Sequence, residues 1–297
     1  MSFTIARTVD EALAALTAGA TPIAGGTDLV VGARHGKAAL PANLVAIDRL
    51  DELKAVVETK EGVSIGALVS HHAIETHPLL ASAYCALADG SALVGSPATR
   101  HVGTLGGNIM NASPAMDTGA PLTVMGAEVE LRSTRGNRRM PIEQLWTGPG
   151  RTSAEPGELC VAIHLPKPGP KANSAYVRLE YRRAMEIAVV GAAAFVALAD
   201  DGTIAALRVG LTAVAPTILT CNLVEQIGRP VAAAAEHAAQ MAMEQCTPIS
   251  DVRASVGYRR HTVGVMARRA VEAAARRAAG EKIAIPVNRA VGIGAAS

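Results

Sequence analysis

Two glycine-rich segments are the parts of this chain whose residues could most readily bind a charged ligand. The first covers residues 24–28 (Ala-Gly-Gly-Thr-Asp), directly after the apolar residues 21–23. The second covers residues 104–108 (Thr-Leu-Gly-Gly-Asn) and continues through 111–114 (Asn-Ala-Ser-Pro) to Asp117. Adjacent glycines let backbone N–H groups converge because no Cβ stands in the way, so each segment can form a concave anion site. Two such segments predict a ligand that carries a diphosphate with a further group at each end.

The first segment lacks the G-x-G-x-x-G spacing of a dinucleotide-binding turn, and a plain turn also explains it. Its position between a predicted strand and a predicted helix favours a phosphate site, since a helix N-terminus adds positive potential. Thr27 could donate a hydroxyl hydrogen bond to a phosphate oxygen. Asp28 would repel a phosphate, which favours a capping role at the following helix.

The second segment is more specific, because residues 104–114 place small polar groups in series with no large side chain to fill a core. Asp117 could accept hydrogen bonds from a ribityl or ribose hydroxyl. It could equally cap the following segment, residues 118–125.

Other reactive residues give weaker signals. Arg178 lies on a predicted strand and could place a cation against the first domain, or it could form a surface salt bridge with Glu180 or Glu186. Ser113 has no base nearby in the sequence, so serine hydrolysis is disfavoured, although a triad assembled in space stays open.

Composition narrows the function classes. The chain has 297 residues, a net charge of +2 and only 2% aromatic residues, so nucleic acid is not expected as the main partner. No apolar run is long enough for a membrane span or a signal peptide. Four isolated cysteines match no metal-ligand spacing and indicate a reduced, cytoplasmic protein: Cys85, Cys160, Cys221 and Cys246.

The first part of the chain, residues 1–170, alternates helical and strand patterns. Residues 9–19 are predicted as a helix that Thr8 caps and Gly19 ends. The first glycine segment then follows a strand, which is where α/β units bind ligands. We divide this part into subdomains at residues 1–52 and 53–170.

A Pro/Gly/Lys-rich stretch at residues 166–171 predicts a linker to a second domain, residues 171–285. There strands precede helices, which predicts an α+β domain. Residues 281–297 show no helical or strand period in their apolar residues, so we predict a tail or a strap on a partner there. The tail itself is assigned to residues 286–297. The predicted elements are strands at 175–181, 187–199 and 204–214, and helices at 216–227, 231–246 and 256–279.

The motifs resemble those of the FAD-binding medium subunit of molybdenum hydroxylases, the group that contains xanthine dehydrogenase and bacterial carbon monoxide dehydrogenase. The resemblance covers nearly the whole chain. It rests on both glycine segments and on the blocks at 63–67 (Val-Ser-Ile-Gly-Ala), 181–188 (Tyr-Arg-Arg-Ala-Met-Glu-Ile-Ala) and 251–260 (Asp-Val-Arg-Ala-Ser-Val-Gly-Tyr-Arg-Arg).

The resemblance implies an α+β fold: a two-part FAD-binding domain of the p-cresol methylhydroxylase type, then a C-terminal domain of a three-stranded antiparallel sheet and a three-helix bundle. It implies noncovalent FAD here, and molybdopterin and [2Fe–2S] clusters only on a large and a small partner subunit, arranged as a dimer of heterotrimers. It assigns no catalytic residue to this chain. The cofactor-binding residues that it implies are Ala24, Gly25, Gly26, Thr27, Asp28, Val94, Thr104, Leu105, Gly106, Gly107, Asn108, Asp117, Cys160 and Arg178.

Arg178 departs from the family pattern, in which lysine is common at this position. Either cation can stabilise the negative charge of a reduced flavin, but arginine is bulkier and bidentate, so the flavin potential can differ. A free-standing FAD-dependent oxidoreductase and a nucleotide-binding protein without redox turnover remain as alternatives.

Overall fold

The first subdomain is a three-stranded parallel sheet with strand order β1-β3-β2, covered by a helix. The computed structural model of the chain describes residues 2–36, 38–182, 184–221, 223–290 and 292. The predicted first helix is confirmed: the Thr8 hydroxyl accepts a hydrogen bond from the Glu11 N–H, and Gly19 follows with φ +87°. The elements are β1 (Ser2–Ile5), α1 (Val9–Thr17), β2 (Thr21–Ile23), α2 (Leu29–Arg34) and β3 (Asn43–Ala46).

The second subdomain is a five-stranded antiparallel sheet, in the order β4-β5-β10-β6-β7, with six short helices and a separate two-stranded hairpin, β8-β9. Leu159 and Val161 of β10 belong to the apolar cluster that also contains α1 and β3, so the two subdomains share a core. The elements are β4 (Val56–Glu58), β5 (Gly62–Gly66), α3 (His71–Thr76), α4 (Pro78–Ala83), α5 (Cys85–Leu93), α6 (Pro97–Val102), α7 (Leu105–Met110), α8 (Gly119–Val124), β6 (Glu128–Ser133), β7 (Gly136–Pro141), β8 (Trp146–Gly148), β9 (Arg151–Thr152) and β10 (Leu159–Pro166).

The C-terminal domain is an antiparallel sheet, in the order β11-β12-β13-β14, packed against two long helices. Alanine and glycine let these helices approach closely: a Cβ at Gly264 would lie 3.0 Å from the carbonyl oxygen of Ala239. The elements are β11 (Ala172–Leu179), β12 (Val190–Leu198), β13 (Ile204–Thr212), β14 (Leu219–Cys221), α9 (Val231–Gln245), α10 (Val256–Ala278) and α11 (Val287–Ala290).

The helix predicted over residues 216–227 is wrong. The described residues of that segment form β14 and a single 3-10 turn, Val224–Gln226. β14 pairs with β13 as a fourth strand, with Leu219 opposite Leu211 and Cys221 opposite Val209. The β-branched residues around Leu219 favour an extended chain, and tertiary pairing uses it. The α+β class itself is confirmed.

Two further features bear on the predictions. No described helix combines the length and hydropathy that a membrane span requires. Residues 281–290 fold back over their own domain, where Val287 and Asn288 are buried. Residues 291 and 293–297 of the predicted tail lie outside the described part of the chain.

Candidate cofactor site

The first glycine segment is an open loop between β2 and α2. Gly26 has φ +68°, in the left-handed region that favours glycine. Among the described residues, the backbone amides of Gly25, Gly26 and Thr27 donate to no protein acceptor, and Gly25 is exposed. Asp28 directly precedes α2, but its backbone is already helical (φ −92°, ψ −46°) rather than extended as in a standard cap. The loop therefore leaves three N–H donors available, which suits an anion.

The structure places the first glycine segment against residues 102 and 103, directly before the second segment. A Cβ at Gly25 would overlap the carbonyl oxygen of Val102 and lie 2.6 Å from its carbonyl carbon. A Cβ at Gly103 would lie 3.6 Å from Oγ1 of Thr27. The absence of a side chain at Gly25 is thus what lets the first loop rest against the end of α6, while a Cβ at Gly103 would be in ordinary contact with Thr27.

The second segment differs from the expectation, because it begins a helix rather than forming an open turn. Three amides of its first turn already donate within the protein: Leu105 N to Val69 O (3.0 Å), Gly106 N to Ala67 O (2.8 Å) and Gly107 N to Thr104 Oγ1 (3.1 Å). These N–H groups complete the end of β5 and the cap of α7, so they do not form an anion cradle. The hydroxyl of Thr104 accepts from Gly107 and keeps its own proton to donate.

Gly106 and Gly107 serve different purposes. A Cβ at Gly106 would lie 2.7 Å from both Cβ and the carbonyl oxygen of Ala67, so this glycine lets α7 pack onto the sheet. Gly107 is exposed, and a Cβ there would meet only Oγ1 of Thr104, at 3.0 Å. The neighbouring Asn108 accepts a hydrogen bond from the hydroxyl of Thr118 (2.6 Å). The outer face of α7 at Gly107 is therefore open to a ligand.

Asp117 and Arg178 form a buried ion pair between the two domains. Arg178 Nη1 lies 2.5 Å from Asp117 Oδ2, and Arg178 Nε donates to Glu180 Oε2 at 2.8 Å. The hydroxyl of Tyr176 donates to Asp117 Oδ1 at 2.8 Å. Arg178 is 0% exposed. Asp117 does not cap α8, and the expected salt bridge of Arg178 with Glu180 is present but buried rather than on the surface.

The electrostatics of this cluster follow from burial and charge. Burial opposes the charge of Arg178, but the carboxylates of Asp117 and Glu180 outweigh it and raise the pKa of the guanidinium. Burial raises the pKa of Asp117, against the pull of Arg178. With one cation and two carboxylates, the cluster carries a net charge of −1 when fully ionised.

Val94 and Cys160 belong to neither glycine segment nor to the ion-pair cluster. Val94 ends α5 and is half-buried, and the carbonyl of the next residue, Gly95, accepts from the amide of Met185 (2.9 Å). Cys160 is buried on β10, which packs beneath α7, and burial raises the pKa of its thiol to about 12, so the thiol stays neutral. Cys160 is thus a neutral residue of the apolar core.

Two residues of this region, Tyr176 and His71, were missed by sequence reasoning. Tyr176 belongs to the ion-pair cluster, and its two-residue spacing from Arg178 along β11 was the available signal. His71 is buried behind the second segment, where its amide donates to the carbonyl of Gly103 (3.0 Å). Burial, with a smaller contribution from Arg100, lowers the pKa of His71 to about 4, so it is neutral.

Comparison with known families decides the identity. Residues 1–168 match the family described as "FAD binding domain in molybdopterin dehydrogenase", and residues 175–274 match the "CO dehydrogenase flavoprotein C-terminal domain". The chain belongs to the FAD-binding family of molybdopterin dehydrogenases. The family prediction made from the motifs is confirmed.

Individual members of the family are similar over almost the whole chain. The putative xanthine dehydrogenase FAD-binding subunit of Escherichia coli K12 is 31% identical, covering 87% of this chain and 90% of that protein. The carbon monoxide dehydrogenase medium chain of Afipia carboxidovorans is 33% identical, covering 92% and 96%. A solved carbon monoxide dehydrogenase from Hydrogenophaga pseudoflava superposes with a TM-score of 0.88 at 29% identity, covering 93% of this chain and 98% of that one.

The residues present fit FAD. A diphosphate requires convergent donors, and the first glycine segment supplies three amides without a protein acceptor together with the Thr27 hydroxyl. Among the described residues, no group of three or more His, Cys, Asp or Glu side chains could hold a metal ion.

Substitution of Gly25 by alanine should separate the two glycine segments. The new Cβ would overlap the Val102 carbonyl, so we expect a loss of about 2 kcal/mol in the free energy of unfolding. The control is Gly32→Ala in α2, where a Cβ meets nothing within 4 Å and helix propensity predicts a gain of up to about 1 kcal/mol. Urea unfolding of both variants checks this, and equal stabilities would contradict the close contact.

Proposed function

We propose that this chain is the FAD-carrying electron-transfer subunit of a heteromeric molybdenum hydroxylase. The observation that carries the proposal is the contact of Gly25 with the Val102 carbonyl, which places the first glycine segment beside the start of the second in a chain whose two parts both match the family. When bound, FAD supplies the chemistry that takes electrons from [2Fe–2S] clusters of a partner and delivers them to an external acceptor such as NAD, oxygen or a quinone.

The loop at residues 24–28 binds the diphosphate in this proposal. The amides of Gly25, Gly26 and Thr27 donate to phosphate oxygens, and the hydroxyl of Thr104 adds a donor from the opposite segment. Gly107 leaves room for the cofactor against α7. Five further residues hold these groups in place. The first loop includes Ala24 and Asp28, the close packing beside β5 involves Leu105 and Gly106, and a hydrogen bond from Thr118 holds Asn108.

The remaining assigned residues do not contact the diphosphate in this proposal and lie deeper in the protein. Arg178 is buried, so it acts on the flavin through its charge, which Asp117 and Glu180 hold in a fixed position. Val94 and Cys160 supply apolar walls. No residue of this chain is assigned acid–base chemistry on the organic substrate.

The partners follow from the relatives. One of them, 29% identical, is the alpha subunit of the 6-hydroxypseudooxynicotine dehydrogenase complex of Paenarthrobacter nicotinovorans. We infer a large molybdopterin-binding subunit and a small [2Fe–2S] subunit, assembled as a dimer of heterotrimers. The four cysteines are unpaired and buried, which supports a cytoplasmic location.

The test begins with the isolated chain and FAD. We expect the purified chain to take up FAD on titration, with a flavin spectrum, and to co-purify with molybdenum- and iron-bearing chains when expressed with its neighbouring genes. A colourless chain that takes up no FAD contradicts the proposal. Substrate turnover by the isolated flavoprotein favours instead the free-standing oxidoreductase.

A further inference from the structure

The segment after α10, residues 281–290, is a strap that returns across the domain to β11. Arg277 Nη2 lies 3.4 Å from the carbonyl oxygen of Ile283, and the amide of Val287 donates to Asp89 Oδ1 at 2.9 Å. Val287 and Asn288 are buried. The strap thus contacts α5 of the first domain and reaches the strand that carries Arg178.

Asn288 bonds both backbone groups of Arg178. Its Oδ1 accepts from the Arg178 N–H at 3.0 Å, and its Nδ2 donates to the Arg178 carbonyl at 2.9 Å. A side-chain amide presents a donor and an acceptor side by side, as a neighbouring strand would. Asn288 therefore takes the place of a strand at this position.

β11 lies at the edge of its sheet, and at two further positions side chains supply the hydrogen bonds that a neighbouring strand would otherwise make to its backbone. Asp89 Oδ2 accepts from the Tyr176 N–H at 3.1 Å, and Arg277 Nη1 donates to the Ser174 carbonyl at 3.0 Å. Arg277 and Asp89 are themselves a buried ion pair. Buried backbone groups need partners, so these side chains fix the register of the edge that faces the first domain.

Asn288 holds the backbone of the residue whose side chain carries the buried cation. The guanidinium of Arg178 lies between Asp117 of the first domain and Glu180. Any displacement of the Arg178 backbone would move the guanidinium relative to both carboxylates, because the side chain is fully buried and has no free space to compensate.

We propose that Asn288 is a positioning residue of the FAD site. It anchors the strap to β11 and keeps the charge of Arg178 fixed behind the cofactor, so ordering of the strap and binding of FAD are coupled. This inference rests on the proposed function. By linkage, whatever loosens the strap weakens FAD binding, and FAD in turn orders the strap.

The test compares two variants of the full chain. Asn288→Leu keeps the side-chain size and removes both hydrogen bonds, and Arg289→Ala changes the exposed neighbour in the same strap. We expect Asn288→Leu to bind FAD about tenfold more weakly and, at full FAD occupancy, to have a lower flavin reduction potential. We expect Arg289→Ala to stay within about twofold of wild type, since exposed side chains contribute little.

Unchanged FAD affinity and potential in a folded Asn288→Leu variant would overturn the inference. If that variant does not fold, hydrogen–deuterium exchange of residues 281–290 in the wild-type chain decides: FAD should slow exchange there, and equal exchange with and without FAD overturns the coupling. A wild-type chain that binds no FAD would instead refute the proposed function, so the two failures are distinguishable.

Discussion

Replacing Arg178 by methionine is expected to lower the free energy of unfolding by about 3–5 kcal/mol, because it leaves buried carboxylates without their cation. Methionine keeps much of the length of the side chain, so the loss reports charge rather than an emptied cavity. The side chains of Asp117 and Glu180 are both nearly fully buried. Urea unfolding of the chain without FAD measures this loss.

The matched control is Arg182→Met on the same segment. Arg182 pairs with Glu186, but 67% of its side chain is exposed, so the pair should contribute less than about 1 kcal/mol. A loss below that value for Arg178→Met as well would contradict the buried geometry of the Asp117 pair.

The flavin gives a second readout of Arg178. Removing the cation makes the surroundings of the cofactor more negative, and reduction adds negative charge to the flavin. We therefore expect a lower reduction potential in Arg178→Met than in Arg182→Met, measured on samples with full FAD occupancy. Equal potentials would mean that the charge of Arg178 does not reach the cofactor.

Features that depend only on neighbouring residues, such as helix ends, could be predicted from the sequence. The cap at Thr8 and the left-handed Gly19 bound the first helix because each depends on neighbouring residues alone. The glycine segments also marked the site, since glycine is required where backbones approach closely.

Features that depend on distant contacts were not predictable in the same way. Whether the amides of Leu105 and Gly106 are available depends on carbonyls of residues 67 and 69, at the end of β5. The sequence pattern shows a glycine pair in both segments, but in the first loop the amides of Gly25, Gly26 and Thr27 have no acceptor within the described part of the chain. The helix expected over 216–227 failed for a related reason, because pairing with β13 decides that conformation.

The buried ion pairs could not be predicted from the sequence either, because their partners are far apart along the chain. Asp117 and Arg178 are 61 positions apart, and Asp89 and Arg277 are 188 apart. Each residue alone is typical of a surface, because lone charged residues are rarely buried. Only the packing of the C-terminal domain on α5 and on the loop before α8 pairs them.

Replacing Gly107 by valine is expected to abolish FAD retention while leaving the fold intact. A Cβ at this position meets only the Thr104 hydroxyl, at 3.0 Å, and the remaining space is open. Valine is no worse than glycine for a helix, so stability should change by less than about 1 kcal/mol. The branched side chain would, however, occupy the face of α7 that the cofactor needs and would displace the hydroxyl of Thr104.

Flavin content after reconstitution, together with the melting temperature, tests this expectation. Gly257→Val is the matched control: it also lies in the first turn of a helix, is exposed and has nothing within 4 Å of its Cβ position, so it should keep wild-type flavin content. Gly106→Ala should instead lower the melting temperature as well, because its Cβ would collide with Ala67. Wild-type flavin content in Gly107→Val would place the cofactor elsewhere, because no bound group could then occupy the face that the valine fills.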